Sequence, residues 1–426
     1  MGHHVSAPKD YLLLQRHLDK NVVTAPYSPV FIKILQILFT PEQAALACKF
    51  PVTPTAIDTL ARKLSIPVDE LDGIVTDMAM RGLVFDTYHN DVRFIVLAPV
   101  VWGFFEFTFM RVRDDVPQAE LATLFEQYLS EDPDVSRSIY QGTVPMTRSL
   151  VHENALPADE HTEILDYERA TWLISEARAH SVSLCSCRHK ASHLGKACDK
   201  PLEVCLMLNS AAEIFTRQGF AKMISKDRAL RIVEECRDQG LAQSGDNIKK
   251  KISFICNCCS CCCELFNAIK CFNISSALVS SNWISQIDEE KCTGCGLCVK
   301  ACPTDALYLE EQEKGDTAVK KAVVNKDICM GCGVCYSTCK KGAVTMKQRA
   351  QRVFTPENIF EKTVAIAIER KKLANYLFAD PQKISHRALG RIVNILEHTS
   401  FVKAALAIKP LKSVFLDRVV KKAMRK

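Results

Sequence analysis

The chain has 426 residues, 48% hydrophobic and 24% charged, with a net charge of +6. That composition suits a globular chain of about two to four domains. No apolar run of about 18 residues occurs, which excludes a membrane-spanning helix, and no basic leader precedes an apolar stretch, so a cytoplasmic chain is expected. Twenty-one cysteines are too many for a reducing compartment unless they hold metal. Oxygen would attack such thiolates, so a place in anaerobic metabolism is expected. Charge is uneven: Lys341 to Lys426 holds 19 Lys/Arg and 6 Asp/Glu, or +13, leaving −7 elsewhere. A basic C-terminal segment is expected to dock something acidic.

Residues 29–50 have a helical pattern that Pro41 divides in two. A third helix follows Thr53-Pro54-Thr55, with Thr53 or Thr55 as its cap and Asp58 in its early turns. Asp69 to Arg81 is amphipathic, with Leu71, Ile74, Val75 and Met78 on one face, and Gly82 stops it. Val84 to Tyr88 and Val92 to Leu97 read as a hairpin around His89-Asn90-Asp91. Helices followed by a hairpin resemble winged helix-turn-helix domains over about 80 residues. The helix that would read DNA presents Asp69, Glu70, Asp72, Thr76, Asp77 and Arg81. An acidic face is poorly suited to phosphate, so a docking or structural role is favoured over DNA binding.

Residues 99–110 carry five aromatics, read as a packed segment or homodimer contact before a cofactor or partner surface. Pro117 to Tyr128 and Ile164 to Ala179 are helix candidates. Ser181 to Leu184 is a short strand delivering Cys185. Ser225 caps a helix running to Cys236, with Arg228 third in it. Lys249 to Ile255 is a strand.

Ten cysteines in this middle region are metal-ligand candidates: Cys185, Cys187, Cys198 and Cys205, then Cys256, Cys258, Cys259, Cys261, Cys262 and Cys263. The first four are enough for one [4Fe–4S] cluster, and alternation along an extended strand puts Cys185 and Cys187 on one side. Arg188, His189 and Lys196 could offset the negative charge. Tetrahedral zinc is the competing reading. The second run is too crowded for one cube. Its thiolates could divide between clusters, join Cys185 and Cys187, build a larger centre, or include catalytic thiols. Cys48 and Cys236 stand apart and read as small buried hydrophobes.

Cys292, Cys295, Cys298 and Cys302 are spaced x2, x2 and x3 and followed by Pro303. Cys329, Cys332, Cys335 and Cys339 repeat the spacing. Zinc sites favour separated cysteine pairs instead. The pattern resembles bacterial two-cluster ferredoxins. That resemblance implies one [4Fe–4S] cluster on Cys292, Cys295, Cys298 and Cys339, and another on Cys329, Cys332, Cys335 and Cys302. Lys340 stands where these proteins usually have proline. Residues 185–345 also resemble a group of anaerobe iron–sulfur proteins with Cys-x-Cys-Arg, Gly-Lys-x-Cys and Asn-Cys-Cys-x-Cys-Cys-Cys motifs. Ser281-Asn282-Trp283 is part of the likeness, which implies redox partners of anaerobic enzymes.

Pro356 to Leu377, Ile384 to His398, Val402 to Ile408 and Leu411 to Met424 read as tail helices. The last is basic and amphipathic, which suits protein contact, with a peripheral membrane contact also open. The expected fold is α+β multidomain: a winged helix (1–115), a cysteine-rich α/β domain (116–285), a two-cluster ferredoxin-like domain (286–348) and a helical tail (349–426). The expected function is electron transfer to or from a redox partner protein or larger oxidoreductase complex. The expected cofactors are two [4Fe–4S] clusters and one or two further iron–sulfur clusters. The alternatives are an iron–sulfur oxidoreductase with its own catalytic centre at 256–263, and a redox-sensing DNA-binding regulator. No dinucleotide fingerprint or Walker A motif is present.

Overall fold

The structure is a computed structural model that describes residues 9–156, 165–314 and 317–377. Its contacts form two units, Met1–Phe104 with Ile359–Lys426, and Phe105–Asn358. Where the sequence suggested boundaries at 115, 285 and 348, the packing joins the cysteine-rich and ferredoxin-like segments in one unit.

The first unit begins with α1 (Lys9–Leu18), α2 (Pro29–Leu38) and α3 (Pro41–Ala47). Each proline starts a helix, where its missing N–H costs nothing. Ser28 caps α2, and Thr40 and Gln43 form a reciprocal capping box on α3. That is why the helical run breaks at Pro41. Next come β1 (Thr55–Ala56) and α4 (Ile57–Leu64). The expected threonine cap of α4 is absent. Ala56 occupies the cap position, because Thr55 and Ala56 pair with a later strand and the Thr55 hydroxyl donates to Thr53 O.

α5 (Val68–Met80) leads through Gly82 (φ 78°) to β2 (Val84–His89) and β3 (Val92–Leu97). Asn90 and Asp91 both have positive φ, 48° and 61°, as a tight two-residue hairpin requires. The sheet order is β1-β3-β2. Arg93, buried in the hairpin, lies 2.8 Å from Asp86 and 2.7 Å from Asp72 of α5. The ion pairs tie hairpin to helix and occupy one of the acidic groups expected on the exposed face.

The second unit opens with α6 (Phe105–Phe109), α7 (Gln118–Phe125) and α8 (Pro133–Tyr140). The aromatic run here is packed. Phe105, Phe109 and Phe125 form one cluster, and Phe107 meets Phe215 and Phe220 with ring centroids 5.1 and 4.9 Å away. Each such pair contributes about 0.5–1.5 kcal/mol beyond area burial.

β4 (Thr147–Leu150), α9 (Ala170–Ser175), β5 (His180–Leu184) and α10 (Ser186–His193) follow. α9 is shorter than its apolar pattern suggested, because Asp166–Glu168 forms a separate 3₁₀ turn and Ile164 lies outside the described residues. Then come β6 (Glu203–Leu208), α11 (Asn209–Arg217), β7 (Lys222–Met223), α12 (Lys226–Asp238), β8 (Ala242–Asp246), β9 (Phe254–Cys258) and α13 (Glu264–Phe272). Ser225 caps α12 as expected, accepting from Arg228 N. The six strands form one antiparallel sheet of order β4-β8-β9-β6-β5-β7.

The ferredoxin-like part holds β10 (Trp283–Ile287), α14 (Leu297–Ala301), β11 (Leu307–Lys314), β12 (Thr317–Val324), α15 (Val334–Thr338) and β13 (Val344–Gln348). β10 pairs with β13 and β11 with β12. Ser281-Asn282-Trp283 joins it to the rest of the unit. Ser281 Oγ donates to Gly331 O (2.7 Å), Asn282 Nδ2 donates to Glu168 (2.8 Å), and the Trp283 ring is fully buried.

α16 (Ile359–Glu369) and α17 (Leu373–Leu377) return to the first unit. One long helix was expected here. Lys371 instead takes a positive φ of 56°, which turns the chain onto the loop after α1. There Arg370 donates to Val22 O (2.9 Å), Lys372 to Asn21 O (2.9 Å) and Asn375 to Lys20 O (3.1 Å). The tail helices expected beyond 384, and the membrane-surface reading with them, lie outside the described residues. Among the described residues no single helix is long and apolar enough to cross a membrane.

Candidate metal centres

Two hollows in the ferredoxin-like part are walled by cysteines. Cys292, Cys295, Cys298 and Cys339 line a cavity of about 160 Å³, with Ile287, Ala322, Ala343 and Val344 as apolar walls. Cys302, Cys329, Cys332 and Cys335 line a narrower one with Met330 and Met346. Each set takes three thiols from one loop and the fourth from the other repeat. Backbone N–H groups aim at the sulfurs: Ala306 at Cys302 (3.2 Å), Ala322 at Cys292 (3.5 Å) and Ala343 at Cys339 (3.3 Å). Burial pushes the Cys339 thiol up, but the amides of Ala343, Lys341, Val344 and Gly342 outweigh it and bring it below its usual range. Four convergent sulfurs, an apolar wall and N–H donors fit a [4Fe–4S] cube in each hollow.

Gly294 and Gly331 make the loop backbones fit. A Cβ on Gly294 would stand 2.2 Å from Lys320 O, and one on Gly331 would stand 2.1 Å from Trp283 O. Gly331→Ala is therefore expected to displace its loop and lower iron by about 4 per chain, the content of one cube. Gly296→Ala is the control. It has a similar left-handed φ (74° against 68°), but its nearest neighbour would be 3.5 Å away. It should cost about 1 kcal/mol and keep the iron. Iron analysis and thermal melts check both.

The ten cysteines of the sheet region fall into two groups. Cys185 follows β5 at the cap position of α10, Cys187 is in the first turn of α10, Cys205 lies on β6, Cys256 and Cys258 on β9, and Cys263 at the cap of α13. Their thiols form one unbroken series of neighbours: Cys185 with Cys205, Cys205 with Cys256, Cys256 with Cys258, Cys258 with Cys263, and Cys263 with Cys187. Ser244 Oγ lies 3.7 Å from Cys258. Cys198, Cys259, Cys261 and Cys262 make the second group, with all four sulfurs within 4.8 Å of one another. Cys198 thus leaves the set in which its spacing had put it. The six-thiolate group also mixes both sequence clusters, because sheet pairing sets β6 beside β5 and β9.

Arg188 is buried between the two groups. Burial opposes its charge, but Cys185 and Cys259 outweigh that and raise its pKa, and its side chain also bonds Cys198. Its guanidinium further donates to Pro201 O and to Asn257 O. Beside Cys187, Lys190 lies 2.5 Å from both Glu126 and Glu264. His189 turns away and bonds Phe109 O (2.8 Å). Lys196 is exposed and pairs with Glu126. Spacing could have pointed to none of Ser244, Ser285, Lys190 or Glu264. Ser285 Oγ lies 3.4 Å from Cys335, and Arg349 donates to Cys329 O (2.6 Å). Cys236 is a buried thiol of α12, pushed up to about 12 chiefly by burial, with Arg188 and Cys205 among its electrostatic neighbours.

Residues 291–353 match a family model described as a 4Fe-4S dicluster domain. This segment is a ferredoxin-type domain. A 30-residue stretch is 57% identical to 6-hydroxynicotinate reductase of Eubacterium barkeri, covering 7% of this chain and 6% of that protein. No solved structure matches. The ferredoxin-type domain and the cysteine-rich sheet together mark an iron–sulfur protein.

Proposed function

We propose that the chain is a multi-cluster iron–sulfur electron-transfer protein, or a subunit of that kind, serving an anaerobic oxidoreductase. The observation that carries this reading is the pair of cysteine-walled hollows in the ferredoxin-type domain, each closed by a thiol from the opposite repeat. Interlocked ligation makes two cubes one rigid unit, suited to passing single electrons. The clusters, when bound, supply one-electron chemistry. The chain holds the sulfurs, aims amides at them and excludes water with Ile287, Val344 and Met346.

The six-thiolate group extends this reading. It holds at least one further iron–sulfur centre between the ferredoxin pair and a partner. Six thiolates exceed the four that one cube takes, and that surplus favours, as a second reading, an active centre built there. The N-terminal unit is read as a winged helix used for docking. The Asp72–Arg93 pair and the acidic α5 face support protein contact over DNA. Its partner is a redox protein, and its setting the cytoplasm of an anaerobic cell.

The test is an anaerobic potentiometric titration followed by EPR. Reversible one-electron signals that interact magnetically at full reduction are expected. Absence of any reducible cluster signal in iron-replete protein would sink the proposal. An anaerobic gel shift should show no DNA complex.

A further inference from the structure

Among the described residues, Cys198, Cys259, Cys261 and Cys262 are the place where three or more potential ligand atoms come mutually within 4.8 Å. Neither ferredoxin set meets that distance, and neither does the six-thiolate series. The molecule therefore carries its own yardstick. Where four thiols surround a cube, the chain holds them apart around a cavity. Here it closes them, with Cys261 and Cys262 sulfurs 3.5 Å apart. Four thiolates bound to one ion at about 2.3 Å stand about 3.8 Å apart at the corners of a tetrahedron. A cube puts four irons and four sulfides between its thiolates and needs a wider set.

We propose that Cys198, Cys259, Cys261 and Cys262 form a mononuclear tetrahedral zinc site, separate from the iron–sulfur centres. The local chain fits a thiolate knuckle. Cys259 and Cys262 have the two-residue spacing common in zinc sites. The Cys262 N–H donates to Cys259 Sγ, and the Cys198 N–H donates to Cys262 Sγ. Four thiolates and one Zn²⁺ leave two negative charges, and the Arg188 side chain bonds both Cys259 and Cys198. All four positions are protein thiolates, so the site is closed and structural. It clamps the loop after α10 to the loop between β9 and α13. That clamp fixes Cys258 and Cys263, which flank the 259–262 turn and belong to the six-thiolate group. The inference goes beyond the electron-transfer reading, because zinc carries no electrons.

The experiment uses the full chain, purified anaerobically, with zinc and iron measured per chain and zinc-edge X-ray absorption recorded. About one zinc with four sulfurs at about 2.3 Å is expected. Cys198→Ser and Cys261→Ser should lose the zinc and keep the ferredoxin EPR signals. A loss of about 4 Fe in either variant with no zinc in the native chain would show a cube instead and overturn the proposal. So would high-spin mononuclear iron in place of zinc. If the variants fail to fold, the native zinc content and its sulfur shell still decide. Failure of the electron-transfer reading would appear separately, as missing cluster signals in a chain with normal zinc.

Discussion

Cys339→Ala is expected to release the cluster built on Cys292, Cys295 and Cys298, leaving the one on its own loop intact. Cys302→Ala should do the reverse. The cavity walls dictate this. Cys339 faces the first loop's three thiols, and Cys302 faces the second loop's three. Three thiolates on a short loop cover three corners of a cube, and the fourth must arrive from elsewhere in the fold. Each variant should lose about 4 Fe per chain. Anaerobic alkylation followed by mass spectrometry separates the outcomes. In Cys339→Ala, Cys292, Cys295 and Cys298 become reactive while Cys329, Cys332 and Cys335 stay protected. Protection in the opposite sense would mean that each run closes on its own fourth cysteine.

Arg188→Met should lower the reduction potential of the six-thiolate centre. Arg188 is 1% exposed and interacts most strongly with Cys185 and Cys259. A buried cation stabilises the more negative, reduced state of a neighbouring cluster, so its removal makes reduction harder. One unit charge at roughly 7 Å, with an effective dielectric constant near 20, is worth about 2.4 kcal/mol, or on the order of 100 mV for one electron. Arg188→Lys keeps the charge but loses the forked donation to Pro201 O and Asn257 O. It should therefore recover most of the potential and little of the thermal stability. EPR-monitored titration of the three proteins reads the first effect, and anaerobic melts read the second. An unchanged potential in Arg188→Met would place the redox centre away from this arginine.

The local elements were legible where a single residue imposes them. Pro41 splits two helices, Ser225 caps α12, and Asn90 and Asp91 turn the hairpin. Elements governed by distant contacts were not. Thr53 or Thr55 reads as a cap because a helix follows them, yet β3 claims the Thr55 backbone. Pro356 to Leu377 reads as one helix, because no local residue announces that Lys371 turns the chain toward carbonyls some 350 residues earlier.

The same division holds for the metal centres. The repeated three-residue cysteine spacing by itself determines the ferredoxin-type domain, because a cube needs three thiolates within one loop and spacing is a local property. The ten middle cysteines, as a sequence, mark a metal-binding region and nothing finer. Their sorting into six and four was decided by the tertiary structure. Sheet order brings β6 beside both β5 and β9, and the tight turn after β9 gathers Cys259, Cys261 and Cys262 around Cys198. Ligand geometry is a matter of distances between sulfurs, and strand pairing and turn closure set those distances while linear spacing does not.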